Sequence, residues 1–267
     1  MTAVVIGDPH DAGSAAVVRA MAASSTAATL VHPEQLSLAR WEHTISPAGS
    51  VATRIELRDG RRLADDEVAA VLCRSFLLPA PRFARSGQAD RDYAGAELRA
   101  LAVSWLHGLG NRVVNAVDGI SMTGPSWSPR RAQFEAQRAG LPVAATLTAT
   151  SGRLLPGFTG SPYAAGMPTE DRRADPGPGN PAGEVLVVGR EVFGELANRF
   201  GAACVALAAR ARCRVLEVGF CHVAGRLAVS HVSPVPALRY HWQAEALARL
   251  LASVSPEAPA LPAEAPR

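Results

Sequence analysis

Cys221, His222, His231 and His241 fall within about twenty residues near the C-terminal end of the sequence. Thiolate and imidazole are soft ligands that suit zinc or copper, so a metal site is one reading of this cluster. Cys221 and His222 are neighbours, however, and on a strand neighbours point to opposite faces, so only one of them can join His231. Packed or surface histidines are the competing reading. The cationic chemistry is narrower. All 27 basic residues are arginine and none is lysine, which excludes Schiff-base chemistry and a lysine grip on phosphates. There is no G-x-S-x-G elbow for a serine hydrolase.

These side chains need elements to hold them. Ala3–Ile6, a helix from about Ser14 to Ala22 and Ala28–Val31 read as a βαβ opening, the start of a doubly wound layer. Val51–Leu57 alternates apolar and polar residues, Arg58-Asp59-Gly60-Arg61 supplies a turn, and Val68–Arg74 is expected to return as the buried partner strand. Tyr93–Leu109 is an amphipathic helix stopped by Gly110, with His107 expected to face solvent. Val113–Val114 is a buried strand ending in Asn115. Ser128 and Pro129 then open a helix that Gly140 closes, and Ala144–Thr150 follows as a strand. Residues 151–183 hold seven glycines and six prolines without apolar periodicity and read as a long loop. Strands are expected at Glu184–Val188, Cys213–Phe220 and Leu227–Val232, with helices at Asn198–Arg212 and Gln243–Ala252.

Composition limits the partners. A hydrophobic share of 48% against 19% charged residues belongs to a folded globular chain, and 267 residues can bury one large or two small cores. No apolar run of about 18 residues and no basic-then-apolar leader is present, so no membrane span and no secretion are expected, and the location is expected to be cytoplasmic. Cys73, Cys204, Cys213 and Cys221 lack CxxC spacing and read as reduced thiols. A net charge of +3, scattered along the chain, argues against nucleic acid.

The order of a strand ending in Asn115, a capped helix, Ala139-Gly-Leu-Pro-Val143 and a Thr-rich strand resembles the junction between the N-terminal domain and the ATP-binding core of ATP-grasp ligases. The similarity is to the branch that joins carboxylates to amines on proteins and peptides, comprising ribosomal-protein glutamate ligases and peptide-macrocyclising ligases. It extends to DGRRLADDEVAAVLCRSFLLP, where Arg74 stands at the arginine that precedes a proline, and to Val187-Val-Gly189. The resemblance implies an α/β fold. A doubly wound pre-ATP-grasp domain would cover 1–125 and a reduced ATP-grasp-like α+β core 126–253, lacking the small lobe, with a flexible tail over 254–267.

The resemblance also implies where chemistry would sit. Arg74 would contact an acidic peptide, against the alternative of a surface arginine at a strand end. Asn115, Arg130, Arg131 and Arg190 are the other candidates for substrate or anion binding. The last hairpin would hold two magnesium ions through an acidic residue on its first strand and a Glu–x–Asn on its second. Here Glu217 is the only acid on the first strand, and His231 and Ser233 occupy the two second-strand positions. Imidazole and serine are poor magnesium ligands, and phosphoryl transfer depends on charge neutralisation. The expectation is therefore a degenerate protein that keeps a peptide- or protein-binding surface, with Trp127 near it, and serves as a non-catalytic subunit in a homo- or hetero-oligomer, with no cofactor. The alternatives are an ATP- and magnesium-dependent ligase completed by arginines or a partner chain, and a metal-binding protein using Cys221 and His231.

Overall fold

A computed structural model describes residues 1–119, 121–144 and 180–254. The chain opens with β1 (Thr2–Ile6), α1 (Ala12–Ala23) and β2 (Ala28–Val31), with β2 parallel to β1. The Asp11 carboxylate accepts the Gly13 amide at 3.0 Å and so caps α1. After α2 (Pro33–Leu38) come β3 (Arg40–Ile45), β4 (Val51–Glu56) and β5 (Arg62–Ala64), a separate antiparallel meander. β6 (Val68–Cys73) then runs parallel to β1 on the side away from β2, giving the order β2-β1-β6.

The expected hairpin is thus corrected. The turn around Gly60 joins β4 to β5, and Val68–Cys73 enters the other sheet. The physical reason lies in the residue pattern of the two strands. Val68-Ala-Ala-Val-Leu-Cys73 is a continuous apolar run, suited to a parallel sheet covered on both faces, whereas β4 alternates. β3 has no apolar alternation and was not expected. It is held by pairing with β4 and by Trp41, whose indole N–H donates to the Leu36 carbonyl at 2.9 Å and whose ring meets Trp105 edge-on.

α3 (Gln88–Leu109) begins five residues before its expected start, with a polar first turn after Gly87. Val113 bridges to Val71 in parallel and Asn115 to Cys213 in antiparallel, so this segment links the two halves of the chain. α4 (Pro129–Arg138) is capped by the Ser128 hydroxyl, which accepts the Arg131 amide, and Gly140 follows at φ +85°.

The second sheet consists of β7 (Asn180–Val188), β8 (Glu191–Phe193), β9 (Val215–Val223) and β10 (Arg226–Ser233), in the order β10-β9-β7-β8 and antiparallel throughout. α5 (Ala197–Arg210) lies between β8 and β9 in sequence, and α6 (His241–Ser253) follows β10. β7 starts at Asn180 instead of Glu184, because the far end of β9 offers His222, Cys221 and Phe220 as partners. Pro181 is tolerated there: β8 pairs only with Leu186–Val188, leaving this stretch of β7 an edge. All but the first residue of the strand expected at 144–150, the Gly/Pro-rich stretch as far as residue 179, and the tail beyond 254 lie outside the described residues.

Among the described residues three apolar cores form. Trp105, Leu106 and Leu109 of α3 pack with Val4 and Ile6 of β1, Val71 of β6 and Ile55 of the meander. The opposite face of β1 (Ala3, Val5) packs with α1 and with Ala244, Leu247 and Leu251 of α6, and Leu186 and Val188 join this core from β7. The other face of β7 (Val185, Val187) packs with Leu216, Val218 and Phe220 of β9 and with Cys204 and Leu207 of α5. The alternation of β7 therefore serves two cores at once, and α6 binds the second half of the chain to α1.

Candidate functional site

A cleft of about 230 Å³ opens where the loop after β6, the loop before α4 and the β9–β10 hairpin meet. Phe76, Ser121, Trp127, Leu216, Ser233 and Pro234 line it. Phe76 is 55% exposed, and the Arg131 guanidinium lies 5.9 Å from the centroid of the Trp127 ring. The site thus offers aromatic faces and hydroxyls with the Arg131 cation beside Trp127, and Arg130 and Arg131 are both exposed on α4.

One wall of the cleft begins the segment 233–240, which runs from β10 to α6. Both halves of the chain hold this segment. The Asn115 side-chain amide donates to the Pro234 carbonyl at 3.1 Å, Arg74 Nη1 to the Pro236 carbonyl at 3.1 Å, and the Ala237 amide to Glu217 Oε2 at 2.9 Å. Gln243 Oε1 accepts the amides of Arg239 and Tyr240 at 2.7 and 2.9 Å.

Arg74 is not a surface arginine. Its side chain is 4% exposed and grips Asp11 through Nε at 2.7 Å and Nη2 at 3.2 Å. Burial pushes the Asp11 carboxyl up, but the bonds from Arg74, Ser14 and the Gly13 amide outweigh it and hold the group below its ordinary value. A peptide carboxylate reaching Arg74 would have to displace Asp11. Asn115 is committed in the same way: Nδ2 donates to the carbonyls of Thr123, Val215 and Pro234, and Oδ1 accepts the amides of Arg214 and Val215. It is a junction residue, not an open anion site. Arg190 is exposed in the turn between β7 and β8.

On the hairpin, the structure brings Glu217, His231 and Ser233 together. Ser233 faces Glu217 across the ladder, and a bulge between Val229 and His231 sets His231 opposite Gly219. His231 Nε2 lies 3.0 Å from Glu217 Oε1. The Ser233 hydroxyl donates to the Val235 carbonyl at 2.9 Å and accepts the Val235 amide at 3.2 Å. Cys221 lies opposite Ala228, His222 and His241 are exposed, and no group of three His, Cys, Asp or Glu side chains able to hold a metal occurs among the described residues. No third such ligand joins Cys221 and His231 among the described residues. All four cysteines are buried free thiols, and burial pushes Cys73, Cys204 and Cys213 up to about 12.

Several solved structures share this architecture. The macrocyclase MdnC from Microcystis aeruginosa MRC, bound to the precursor peptide MdnA, aligns over 94% of this chain and 99% of its own at a TM-score of 0.69, with 14% identity. The ligase PsnB, complexed with a minimal precursor, Mg and ADP, aligns over 94% and 97% at 0.65, with 17% identity. A Chryseobacterium gregarium RiPP-associated ligase, in complex with ADP and a leader and core peptide, aligns over 99% and 100% at 0.64, with 10% identity. The fold is that of the ATP-grasp ligases. No protein-family model matches the sequence, and no curated protein matches it.

In an ATP-grasp fold the resemblance places magnesium on the β9–β10 hairpin, and the donors present do not fit it. Magnesium requires hard oxygen ligands in octahedral array. Of the three positions, His231 offers nitrogen, the Ser233 hydroxyl is turned to Val235, and both Glu217 oxygens already accept hydrogen bonds. Glu184, at the edge of β7, accepts Arg239 Nη1 at 2.6 Å. Phe76 and the anchored 233–240 segment were missed by sequence reasoning. The one available signal was an aromatic two residues beyond a strand-end arginine.

Proposed function

We propose that this protein binds a peptide or protein segment without ligating it, as a cytoplasmic non-catalytic subunit in a peptide-modification or cofactor-biosynthesis pathway. The observation that carries the reading is Glu217, the one acid of the hairpin's first strand, whose two oxygens are engaged by His231 Nε2 and the Ala237 amide. The absence of lysine from the sequence agrees with it, since triphosphate chemistry needs cations to hold the phosphates. Binding is supported by the cleft, where Phe76 and Trp127 offer faces to an apolar side chain and Arg130 and Arg131 offer charge to acidic neighbours. The ligases of like fold are complexed with precursor peptides, ADP and Mg; the peptide half of that chemistry is the half these residues suit.

Two titrations on the intact chain test the reading. Calorimetry with ATP and magnesium is expected to give no binding heat, and micromolar magnesium-dependent binding would overturn it in favour of ATP-dependent ligation. A fluorescein-labelled acidic peptide carrying one phenylalanine is expected to bind more tightly than its lysine-reversed counterpart. Equal affinity for the two would remove the argument from the α4 arginines. No helix among the described residues is long and apolar enough to cross a membrane.

A further inference from the structure

A buried carboxylate must be compensated, and two protein groups reach Glu217, the His231 imidazole and the Ala237 amide. Glu217 is 5% exposed. The imidazole that reaches it does so because two sequence features act together. The bulge before His231 turns its side chain across the neighbouring strand, and Gly219 leaves the room. A Cβ built on Gly219 would lie 2.1 Å from His231 Cε1 and 2.3 Å from Nδ1, so any other residue would expel the ring. The Ser230 hydroxyl, 3.2 Å from Nδ1, fixes the ring's second nitrogen.

We propose that His231 stands where a metal ion would otherwise neutralise Glu217, so that His231, Glu217 and Gly219 form a metal-independent clasp that positions the 233–240 segment and with it one wall of the cleft. The chain of contacts is direct. Nε2–H donates to Oε1, which holds the carboxylate so that Oε2 accepts the Ala237 amide. Ala237 follows Pro236, whose carbonyl is tied to Arg74, and Pro234, which lines the cleft, is tied to Asn115. Glu217 is therefore an anchor of this segment beside Arg74 and Asn115 from the first half of the chain and Gln243 of α6. His231 acts through Glu217 and is a positioning residue. The inference stands whether or not the cleft takes a peptide.

Amide hydrogen exchange and proton–nitrogen NMR spectra of the full chain test it. Adding magnesium chloride to about 10 mM is expected to leave the Gly219, His231 and Ala237 resonances in place, because both Glu217 oxygens are already engaged by protein groups. His231→Ala should speed exchange at the Ala237 amide by roughly tenfold or more while leaving the β1 amides unchanged, since the anchor is local. His231→Gln, whose side-chain N–H can reach the same oxygen, should restore much of the protection. Gly219→Ala, which displaces the ring without removing it, should reproduce the His231→Ala pattern and serves if that variant folds poorly. Magnesium-dependent shifts at these residues, or Ala237 exchange unchanged in both His231→Ala and Gly219→Ala, would overturn the proposal.

Discussion

The strand ends of the first sheet and the outer face of α4 both present polar groups that, in sequence, suit an anion, yet the fold treats them oppositely. Arg74 and Asn115 are 8% and 5% exposed, and each bonds to groups far away in the chain. Arg130 and Arg131 are exposed, one of them over the Trp127 ring. The difference follows from what lies next to each. A strand end in a sheet covered on both faces abuts backbone that no ladder reaches, and those amides and carbonyls must find partners. A helix whose inner face carries only Ala136 as a buried residue leaves its arginines to water or to a ligand.

The sharpest way to break this contrast is Asn115→Ala. It strips two amides and three carbonyls of their partner at a site closed to solvent. Five unpaired groups at about 1–3 kcal/mol each would cost at least about 5 kcal/mol, and relaxation of the neighbouring backbone lowers the loss expected from urea unfolding to roughly 3–5 kcal/mol. A loss below about 1 kcal/mol would mean that water replaces the side chain and that the junction is open.

Arg74→Met comes next. It leaves Asp11 without its ion pair, and because the Asp11 side chain is 25% exposed the cost is discounted to about 2–3 kcal/mol. The pH dependence carries the same information. The Asp11 pKa in the folded state is lowered from 3.8, so its contribution is present above that value and fades as pH falls through the lower folded value. Acid titration of stability should show this loss below about pH 4 in the parent and a shallower one in Arg74→Met. Identical acid limbs would assign the depression to Ser14 and the backbone instead.

These two residues also show where the sequence stops being readable. The βαβ opening, the Ser128 cap, α5 and the β9–β10 hairpin follow from local pattern, because each is specified by residues within a few positions of one another. The resemblance located the α/β architecture for the same reason, since it rests on the order of such elements. β3 was missed because its stability comes from pairing with β4 and from Trp41, not from its own alternation. The burial of Arg74 could not be read locally because its partner Asp11 is a helix cap 63 residues away. The set Glu217, His231 and Ser233 could be listed from register, but not its use. His231 is aimed by a bulge on one strand and admitted by a glycine on the next, and neither feature is local.

The smallest expected effect sharpens the other side of the contrast. Replacing Arg130 and Arg131 together by alanine should change stability by under about 1 kcal/mol, since the loss is one exposed cation–π contact and no buried bond. Ser128 should still cap α4, because it accepts the backbone amide of residue 131 and not a side chain. If the outer face of α4 contributes to binding, the same double variant should lose affinity for the acidic peptide at least tenfold, or about 1.4 kcal/mol, and the remaining affinity should depend less on salt. An unfolding loss as large as that of Arg74→Met would instead place the two arginines among the fold's internal supports, and the distinction between the two regions would collapse.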